Sequence, residues 1–314
     1  MSIVIWPQQP DEWIAAIRQA AGGQTVVAPT SAAEALATAR EAEGWIGRLD
    51  RELLIAAPRL RWVQSPSISL ESIVFPELID SDVTLTNMRH IYNDHIANHV
   101  LALFLAHCRD LPRLIRRQIA GEWAPDGVTV RDPAAMTIVV LGLGGIGAEV
   151  VRRLAVFGPT IIGVDPKVTT PPADLAELHT PDQLPDLLSR ADATIVCAPQ
   201  TPETTGLFDE AMFRRMKPSA IFINIGRGKI VRLAALERAL AEGWIAGAGL
   251  DVFEEEPLPA SSALWAMPNA IITPHTAGFG PHTEERRLDV ILDNVRRFVA
   301  NEALANVTDK ARWY

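Results

Sequence analysis

The sequence has few cysteines, few basic residues and no long apolar run, and each shortage excludes a class of protein. Two cysteines in 314 residues, Cys108 and Cys197, allow one disulfide at most, so a disulfide-stapled secreted fold is excluded. No uninterrupted apolar run reaches the roughly 18 residues that a membrane-spanning helix requires, so we expect no membrane partner. Lys and Arg number 29 against 38 Asp and Glu, and an acidic chain without a long basic run is poorly suited to binding nucleic acid.

The start of the sequence and its overall composition favour a cytoplasmic enzyme. The first residues, MSIVIWPQQPDEW, carry no basic segment ahead of an apolar stretch, so we do not expect a signal peptide. Hydrophobic residues make up 48% and charged residues 21%, a balance typical of globular proteins with a large core. At roughly 150 residues per domain, the length predicts about two domains.

Short runs rich in β-branched residues alternate with helical segments, the pattern of βαβ units and a parallel sheet. The pattern predicts a helix over residues 31–43 with Ser31 as its N-cap, and a strongly apolar helix over residues 95–111 that ends near Pro112. We place a domain boundary near residues 92–95. The closing helix, residues 283–300, is expected to fold back onto the first domain. Its apolar face is formed by Leu288, Ile291, Leu292, Val295 and Val299.

A glycine-rich turn follows the strand predicted over residues 137–141. The segment TIVVLGLGGIGAEVV has glycines at 142, 144 and 147, the GxGxxG pattern, and it opens a helix. In this pattern Gly142 permits a tight turn, Gly144 lets the backbone approach a pyrophosphate, and Gly147 lets the helix pack on the strand. The helix N-terminus attracts the pyrophosphate, so we expect Gly145 and Ile146 to take part in binding. A glycine turn without a ligand is the alternative.

An acidic residue stands where a dinucleotide site needs one. Asp165 lies 23 residues after Gly142, at the end of the next predicted strand. Its carboxylate is expected to bind the adenosine ribose hydroxyls and to repel a 2′-phosphate, which favours NAD over NADP. Lys167, two residues further on, leaves room for NADP. The site alone does not name a reaction, because dehydrogenases, NAD-sensing regulators and some methyltransferases share such turns.

Three later segments place charged residues directly after predicted strands. They are FINIGRGKIV with Arg227, GLDVFEEEP with Asp251 and Glu256, and ITPHTAG with His275. The carboxyl ends of parallel strands face the ligand crevice, so these side chains are expected on the same edge as the glycine turn. Histidine suits proton transfer at neutral pH, a neighbouring carboxylate fixes its tautomer, and arginine binds carboxylates. Taken one by one, a solvated arginine, an acidic turn and a loop-capping histidine are the alternatives.

At these residues the chain resembles the D-isomer-specific 2-hydroxyacid dehydrogenase family. The resemblance includes LGLGGIG, INIGRG, GLDVFEEEP and TPHTAG, the segment TNMRHIYNDHIANHVLALFLA at 86–106, and the ending NVTDKARWY. It implies two Rossmann-like, doubly wound parallel-sheet domains, with the cofactor domain inserted in the substrate domain. The corresponding ranges are 1–94 and 285–314 for the substrate domain and 95–284 for the NAD-binding domain. It also implies a homodimer, with the apolar helix near the interface.

The resemblance further implies roles for individual residues. Arg227 binds and activates the substrate, His275 is the acid/base, and Glu256 is its partner. Asp251 faces the nicotinamide side of the cofactor. The cofactor is also lined by Ala198, Pro199, Ile225, Gly226, Ala277 and Gly278.

The resulting reaction is NAD-dependent interconversion of a 2-oxo acid and its D-2-hydroxy acid. In reduction, protonated His275 donates to the carbonyl oxygen while a hydride arrives at C2. Glu256 stabilises the protonated imidazole, so reduction is favoured at lower pH and oxidation at higher pH. The sequence names neither the 2-oxo acid nor the direction used in the cell.

The sequence departs from the family pattern in the loop expected to hold the substrate carboxylate. In residues 64–72, QSPSISLES, Ser69 stands where glycine is usual and Glu71 where aspartate is usual. A serine resists backbone angles that glycine adopts, so either the loop has another shape or it shifts slightly and still uses its amides. We expect substrate contacts from Ser67, Ile68 and Ser69, and from Tyr92. His90 replaces a usual glycine and Asn98 a usual glutamate.

Three alternatives stay open from the sequence. Corepressors of similar fold use NAD to stabilise a dimer that binds peptide motifs, without significant turnover. Oxidation of an unusual acid such as formate or phosphonate is a further possibility.

His95 and His99 have the four-residue spacing of a zinc pair, but no third ligand is evident and Ile96 replaces the glutamate of a zinc protease. We therefore predict packed or interfacial histidines and no metal.

Overall fold

The computed structural model describes residues 1–71 and 73–312. Ser72, in the predicted substrate loop, and Trp313 and Tyr314, at the end of the terminal motif, lie outside the described residues. The chain divides into two compact units: unit 1 is Met1–Ile91 with Pro281–Tyr314, and unit 2 is Tyr92–Gly280. The boundaries expected from the sequence, 94/95 and 284/285, lie three and four residues further along the chain.

Unit 1 contains a five-stranded sheet in which every pairing is parallel. The order β2-β1-β3-β4-β5 is the flavodoxin-like doubly wound order. Its strands are β1 (Ser2–Trp6), β2 (Thr25–Val27), β3 (Gly44–Gly47), β4 (Trp62–Gln64) and β5 (Thr84–Thr86), and the helices between them are α1 (Asp11–Ala20), α2 (Ala32–Ala39), α3 (Arg51–Ala56) and α4 (Pro76–Ile79).

The helix predicted over residues 31–43 is shorter than expected. Ser31 is its N-cap, because its Oγ accepts a hydrogen bond from the Glu34 amide at 3.2 Å. However, α2 ends at Ala39, and the chain then enters β3, whose four residues are all buried. The sequence did not show this strand because it is short and has glycine at both ends, which weakens the strand signal.

Unit 2 is built on a seven-stranded sheet that is also parallel throughout. The order β12-β11-β10-β9-β6-β7-β8 reverses direction between β6 and β9, as in the Rossmann fold. The central strands are buried on both faces, which is why they read as continuous apolar runs. The strands are β6 (Thr137–Leu141), β7 (Thr160–Val164), β8 (Glu177–His179), β9 (Ala193–Val196), β10 (Ile221–Asn224), β11 (Gly247–Leu250) and β12 (Ala270–Ile272).

The apolar helix predicted over residues 95–111 is present as a helix over Asn93–Cys108, and it is followed by a second helix, Leu111–Ala120, that was not predicted. The helices of unit 2 are α5 (Asn93–Cys108), α6 (Leu111–Ala120), α7 (Gly145–Leu154), α8 (Leu184–Leu188), α9 (Glu210–Arg215) and α10 (Leu233–Ala241). Asp110 adopts a left-handed conformation between α5 and α6. Pro112 lies in the first turn of α6, where a missing amide proton costs nothing, so here proline starts a helix instead of ending one.

The closing helix, α11 (Thr283–Ala300), belongs to unit 1. Its buried apolar residues are Ile291, Val295 and Phe298, a stripe with the 3.6-residue period of a helix. Val299 was predicted on this face, but it is Phe298 that is buried there. The ring centroid of Phe298 lies 5.0 Å from that of Trp62. The predicted fold class, two doubly wound parallel-sheet domains, is confirmed. Within the described residues, no helix is both long and apolar enough to cross a membrane.

Candidate active site

The glycine turn after β6 is packed so tightly that two of its glycines have no room for a side chain. Gly142 has φ +89°, and a Cβ there would lie 2.7 Å from Ala198 Cα. A Cβ on Gly147 would lie 1.9 Å from the Gly142 carbonyl oxygen, whereas one on Gly144 would meet nothing within 4 Å. The turn is therefore closed towards β9 and open above Gly144, next to the first amides of α7, and this cradle fits a pyrophosphate.

The Asp165 carboxylate, directly after β7, holds this turn in place. Its Oδ2 accepts a hydrogen bond from the Leu143 amide at 2.8 Å, and its Oδ1 accepts from the amides of Lys167 (2.8 Å) and Val168 (3.1 Å). A carboxylate has about four lone-pair positions, so one remains on Oδ2. The position fits a ribose hydroxyl, and the three amides are an additional role that the sequence did not indicate.

His275 and Glu256 form a hydrogen-bonded pair. Nδ1 of His275 lies 2.7 Å from Glu256 Oε2, while Glu256 Oε1 accepts a hydrogen bond from the Phe253 amide at 2.9 Å. The His275 side chain is 52% exposed, and its backbone has φ +53°. Because Glu256 takes Nδ1, the pair leaves Nε2 as the ring nitrogen available for proton exchange.

Arg227 follows β10, and a buried amide fixes its loop. Asn224, 1% exposed, donates from Nδ2 to the Arg227 carbonyl at 3.1 Å and accepts from the Gly226 amide at 3.1 Å. A Cβ on Gly228 would lie 1.8 Å from the Phe253 carbonyl oxygen. The Arg227 loop therefore contacts the backbone of the segment that also positions Glu256.

Asp251 braces the loop that carries His275. Its carboxylate is 1% exposed and accepts hydrogen bonds from the amides of Thr276 and Ala277, both at 2.9 Å, and from the Thr273 hydroxyl at 2.6 Å. Its carbonyl oxygen accepts from the His275 amide at 2.8 Å. The sequence assigned Asp251 to the cofactor side, and the structure adds this bracing role.

A histidine of α5 extends the same network. His99 Nε2 lies 2.9 Å from Thr273 Oγ1. Since the single hydroxyl proton of Thr273 goes to the Asp251 carboxylate, His99 must donate from Nε2. Sequence reasoning missed the roles of Asn224, Thr273 and His99; a polar residue at the end of an apolar strand was the available signal for Asn224 and Thr273.

The other predicted site residues occupy several loops. Pro199 follows β9, and Ile225 and Gly226 follow β10. The Tyr92 ring lies at the start of α5, 3.4 Å from where a Cβ on Gly278 would stand. His95 and His99 have different partners: the His95 ring packs against Gly280, whereas His99 Nε2 binds Thr273 Oγ1. Across the residues that the structure describes, no cluster of three potential metal ligands is found.

The serine loop lies in unit 1, after β4. The Ser67 amide donates to Ser65 Oγ at 3.2 Å, and the Ser69 amide donates to Ser67 Oγ at 2.9 Å. Asn87 donates from Nδ2 to the Ile68 carbonyl at 3.0 Å. The amides of Ser67, Ile68 and Ser69 are the ones expected to bind a substrate carboxylate. Those of Ser67 and Ser69 already donate to serine hydroxyls within the loop, whereas the Ile68 amide has no hydrogen-bond partner within the described part of the chain.

The fold and this site define a dinucleotide-binding α/β protein of the doubly wound class. The family model described as "D-isomer specific 2-hydroxyacid dehydrogenase, NAD binding domain" matches residues 101–277. The chain belongs to the D-isomer specific 2-hydroxyacid dehydrogenase family, whose members are dehydrogenases and reductases acting on 2-hydroxy acids. The resemblance found in the sequence motifs is thereby confirmed.

Individual relatives agree with this assignment. The chain is 36% identical to the glyoxylate/hydroxypyruvate reductase B of Pectobacterium carotovorum over 282 residues, 87% of this chain and 86% of that protein. It is 33% identical to a glyoxylate reductase of Korarchaeum cryptofilum over 267 residues, 83% of this chain and 80% of the relative. A D-isomer specific 2-hydroxyacid dehydrogenase from Xanthobacter autotrophicus, solved in complex with NADPH and MES, has a TM-score of 0.85 at 30% identity, covering 100% of this chain and 99% of that one.

Proposed function

We propose that this protein is an NAD(H)-dependent oxidoreductase that interconverts a 2-oxo acid and its D-2-hydroxy acid. The observation that carries the proposal is the His275–Glu256 pair, joined at 2.7 Å. It follows the carboxyl ends of β11 and β12, in the unit that holds the glycine turn. Family membership supports the reaction class.

His275 is the proton donor and acceptor of the proposed reaction. Glu256, held by the Phe253 amide, binds Nδ1 and so presents Nε2 for exchange. In the direction of reduction, Nε2–H donates its proton to the carbonyl oxygen of the 2-oxo acid; in oxidation, Nε2 removes the hydroxyl proton. Because reduction consumes a proton and oxidation releases one, reduction is favoured at lower pH.

Arg227 binds the substrate carboxylate and polarises the carbonyl in this proposal. A planar guanidinium suits both tasks, and Asn224 fixes the backbone from which the side chain extends. Contacts from Ser67, Ile68, Ser69 and Tyr92 to the substrate stay a prediction.

The glycine turn and Asp165 fit a nicotinamide dinucleotide. The open space above Gly144 accommodates the pyrophosphate beside the amides of Gly145, Ile146 and Gly147, and Asp165 binds the adenosine ribose. When bound, the cofactor supplies the hydride in reduction and accepts it in oxidation. The Asp165 charge disfavours a 2′-phosphate, so we propose NAD, although the Xanthobacter relative was solved with NADPH.

The substrate proposal is tested by NADH consumption against a panel of 2-oxo acids. Glyoxylate and hydroxypyruvate are the first members of the panel, because the relatives are named for them. We expect turnover with at least one acid, and a rate with NADH at least about 10-fold above that with NADPH. A clear preference for NADPH would contradict the role of Asp165. NADH binding without turnover on the whole panel would instead support an NAD-sensing, corepressor-like function.

Two variants test the residue roles. His275→Ala should lower kcat about 10²- to 10⁴-fold, the usual contribution of a general acid, and unchanged turnover would remove the mechanism. Arg227→Ala should raise KM and lower kcat with little change in NADH binding. Equal losses in substrate use and NADH binding would contradict the assigned role of Arg227.

We also propose that the protein is a cytoplasmic homodimer. The sequence resemblance places the helix of residues 95–111, which is α5, near the interface; because the exposed apolar side chains lie on the next helix, we propose that α6 is in the interface as well. Leu111, Ile115 and Ile119 recur every four residues along α6, and Ile119 is 81% exposed; Trp123, three residues after the end of the helix, is 100% exposed. Apolar side chains this exposed, in one stripe, mark an interaction surface. Ile115→Glu with Ile119→Glu should convert a dimer to a monomer in light scattering, whereas Ile55→Glu, at an exposed apolar residue of unit 1, should not.

A further inference from the structure

A cavity of unit 2 lies at the opposite end of the sheet from the candidate active site. It has a volume of about 650 Å³ and lies between α6, the segment around Arg131 and the starts of β10, β11 and β12. His275, Asp251 and Arg227 follow the carboxyl ends of those strands, whereas this cavity lies at their amino ends. Its volume is within the range of sites that bind metabolite-sized ligands.

Four arginines line this cavity, and three of them have no carboxylate partner. Arg113 pairs with Asp110 at 3.0 Å. For Arg116, Arg117 and Arg131, no carboxylate of the described residues lies within 4.0 Å, and their hydrogen bonds go to backbone carbonyls. The wall also carries Asp110 and Glu122, which leaves a net charge of about +2 in a chain whose net charge is −9. Such a surface attracts anions.

The arginines are held in place before any ligand binds. Arg116 donates to the carbonyls of Pro112 (3.0 Å), Pro268 (3.0 Å) and Met267 (2.6 Å), which links α6 to the start of β12. Two of its five N–H groups remain for a ligand. The Arg131 hydrogen bonds, to His107 and Ser219 carbonyls, are long at 3.4 and 3.5 Å, so this guanidinium can exchange them for a stronger acceptor. Preorganised donors reduce the entropic cost of binding.

One ring nitrogen of a buried histidine in the cavity wall lacks a partner. His107 is 6% exposed, and its Nε2 has no hydrogen bond to any residue in the described ranges. Burial lowers the pKa of His107 to about 4, so the ring is neutral at physiological pH. A buried, unpaired ring nitrogen is unfavourable, and a ligand hydroxyl in the cavity would supply the missing hydrogen bond.

We propose that this cavity binds a small organic polyanion, with two or more carboxylate or phosphate groups on Arg113, Arg116 and Arg131. The site is independent of the proposed catalytic reaction and binds without the nicotinamide cofactor. The ligand bridges α6 and the strand starts, an arrangement that exists only in the folded chain. Its binding therefore stabilises the folded chain by mass action.

The test is calorimetric titration of the full-length protein with citrate, and separately with pyrophosphate, at low salt and without cofactor. Citrate probes carboxylates and pyrophosphate probes phosphates, and citrate cannot be oxidised at its carbinol carbon, which carries no hydrogen. We expect saturable binding that weakens with added salt, and a loss of at least about 10-fold in Arg131→Gln, since hydrogen bonds to a charged group are worth this much. Binding of one probe only identifies the anionic group of the ligand.

Matched variants distinguish binding in this cavity from binding elsewhere on the protein. Arg215→Gln, an exposed arginine elsewhere in unit 2, should leave binding unchanged. Arg116→Gln should act like Arg131→Gln; circular dichroism shows whether it still folds, and Arg113→Gln replaces it if it does not. Loss of binding in Arg227→Gln but not in Arg131→Gln would assign the anion to the active site and overturn the proposal. No binding of either probe would also overturn it, as would a change of oligomeric mass in Arg131→Gln without anion binding, because a second copy would then occupy the cavity.

Discussion

Each of the two sheets ends in a cluster of hydrogen-bonded polar side chains, and the two clusters differ in charge. In unit 1 the cluster is Gln64, Thr86 and Asn294, all neutral and fully buried. In unit 2 it is Asp251, Thr273 and His99, which contains a buried carboxylate and extends to the loop of His275. We infer that the neutral cluster stabilises the fold, whereas the charged cluster positions the loop of His275, the proposed acid/base.

The neutral cluster is closed on itself. Trp62 donates from Nε1 to Thr86 Oγ1 (2.9 Å), and both Thr86 and Asn294 donate to Gln64 Oε1 at 2.9 Å. Asn294 Oδ1 accepts from the Ala305 amide at 2.8 Å. These bonds attach α11 and the residues after it to β4 and β5. A buried polar network that is fully satisfied specifies one packing arrangement.

The largest expected effect comes from breaking the neutral cluster. Asn294→Leu leaves Gln64 and the Ala305 backbone without partners, so we expect the free energy of unfolding to fall by about 3 kcal/mol. The kcat/KM of the folded enzyme should not change. Urea denaturation measures the loss, and Arg296→Gln, on an exposed position of the same helix, should change stability by less than about 0.5 kcal/mol. A loss equally small in Asn294→Leu would remove the distinction between the clusters.

The converse experiment breaks the charged cluster. Thr273→Val removes the hydroxyl between His99 and Asp251, and the loop of His275 is then less well fixed. We expect kcat/KM to fall about 30-fold, since small displacements of a reacting group have large effects on rate. Thr273→Ser keeps the hydroxyl and should restore most of the activity. If Val and Ser behave alike in rate and in pH profile, Thr273 has only a packing role.

A smaller effect is expected from His107, a buried polar group outside both clusters. Its folded pKa of about 4 lies below the ordinary 6.5 because of burial and of nearby Arg131. As pH falls, the unfolded chain therefore binds a proton on His107 before the folded protein does. The contribution of the neutral His107 ring to stability is complete above pH 6.5 and is lost as pH falls towards 4. Between about pH 7.5 and 5 this loss amounts to about 2 kcal/mol.

The measurement is urea denaturation at both pH values, with His107→Gln as the comparison. The variant should lose about 2 kcal/mol less than the parent protein over this interval. Two carboxylates have a pKa lowered to about 2, Glu149 and Glu177; their contribution to stability is lost mainly below this interval, as pH falls from about 4.5 towards 2. Equal pH dependence in the two proteins would show that the His107 ring is not shielded from water.

The smallest expected effect concerns His90, which the sequence identified as replacing a usual glycine. Its backbone has φ +77°, a left-handed conformation that costs a non-glycine residue about 1 kcal/mol. Part of the gain in His90→Gly is offset by the larger entropy of the unfolded chain, so we expect a net stabilisation of about 0.5 kcal/mol. In thermal unfolding, His90→Gly should have a higher Tm than the parent protein, and His90→Ala should have a Tm no higher than the parent. A lower Tm in His90→Gly would mean that the His90 side chain contributes more stability than its left-handed backbone costs.

The catalytic candidates could be predicted from the sequence because each one follows a recognisable strand. Strand order then brings Arg227, Glu256 and His275 to one edge of one sheet, whatever the details of the loops. The end of α5 near Pro112 was predicted, but the helix that follows it, α6, was not, because Pro112 is compatible with both the end and the start of a helix. Asn224 and Thr273 carried one signal, a polar residue at the end of an apolar strand, whereas His99 carried none, because its partner Thr273 lies 174 residues further along the chain.

The sequence by itself determined the βαβ alternation, the glycine turn, Asp165 and the residue types available for proton transfer. These follow from short-range periodicity and from the few residues that tolerate a given backbone geometry or chemistry. Only the tertiary structure decided that Asp251 braces the His275 loop, that serine oxygens occupy the amides of Ser67 and Ser69, and that four arginines meet at the amino ends of β10–β12. Each of these depends on distances between segments that are remote along the chain, and those distances are set by packing rather than by local pattern.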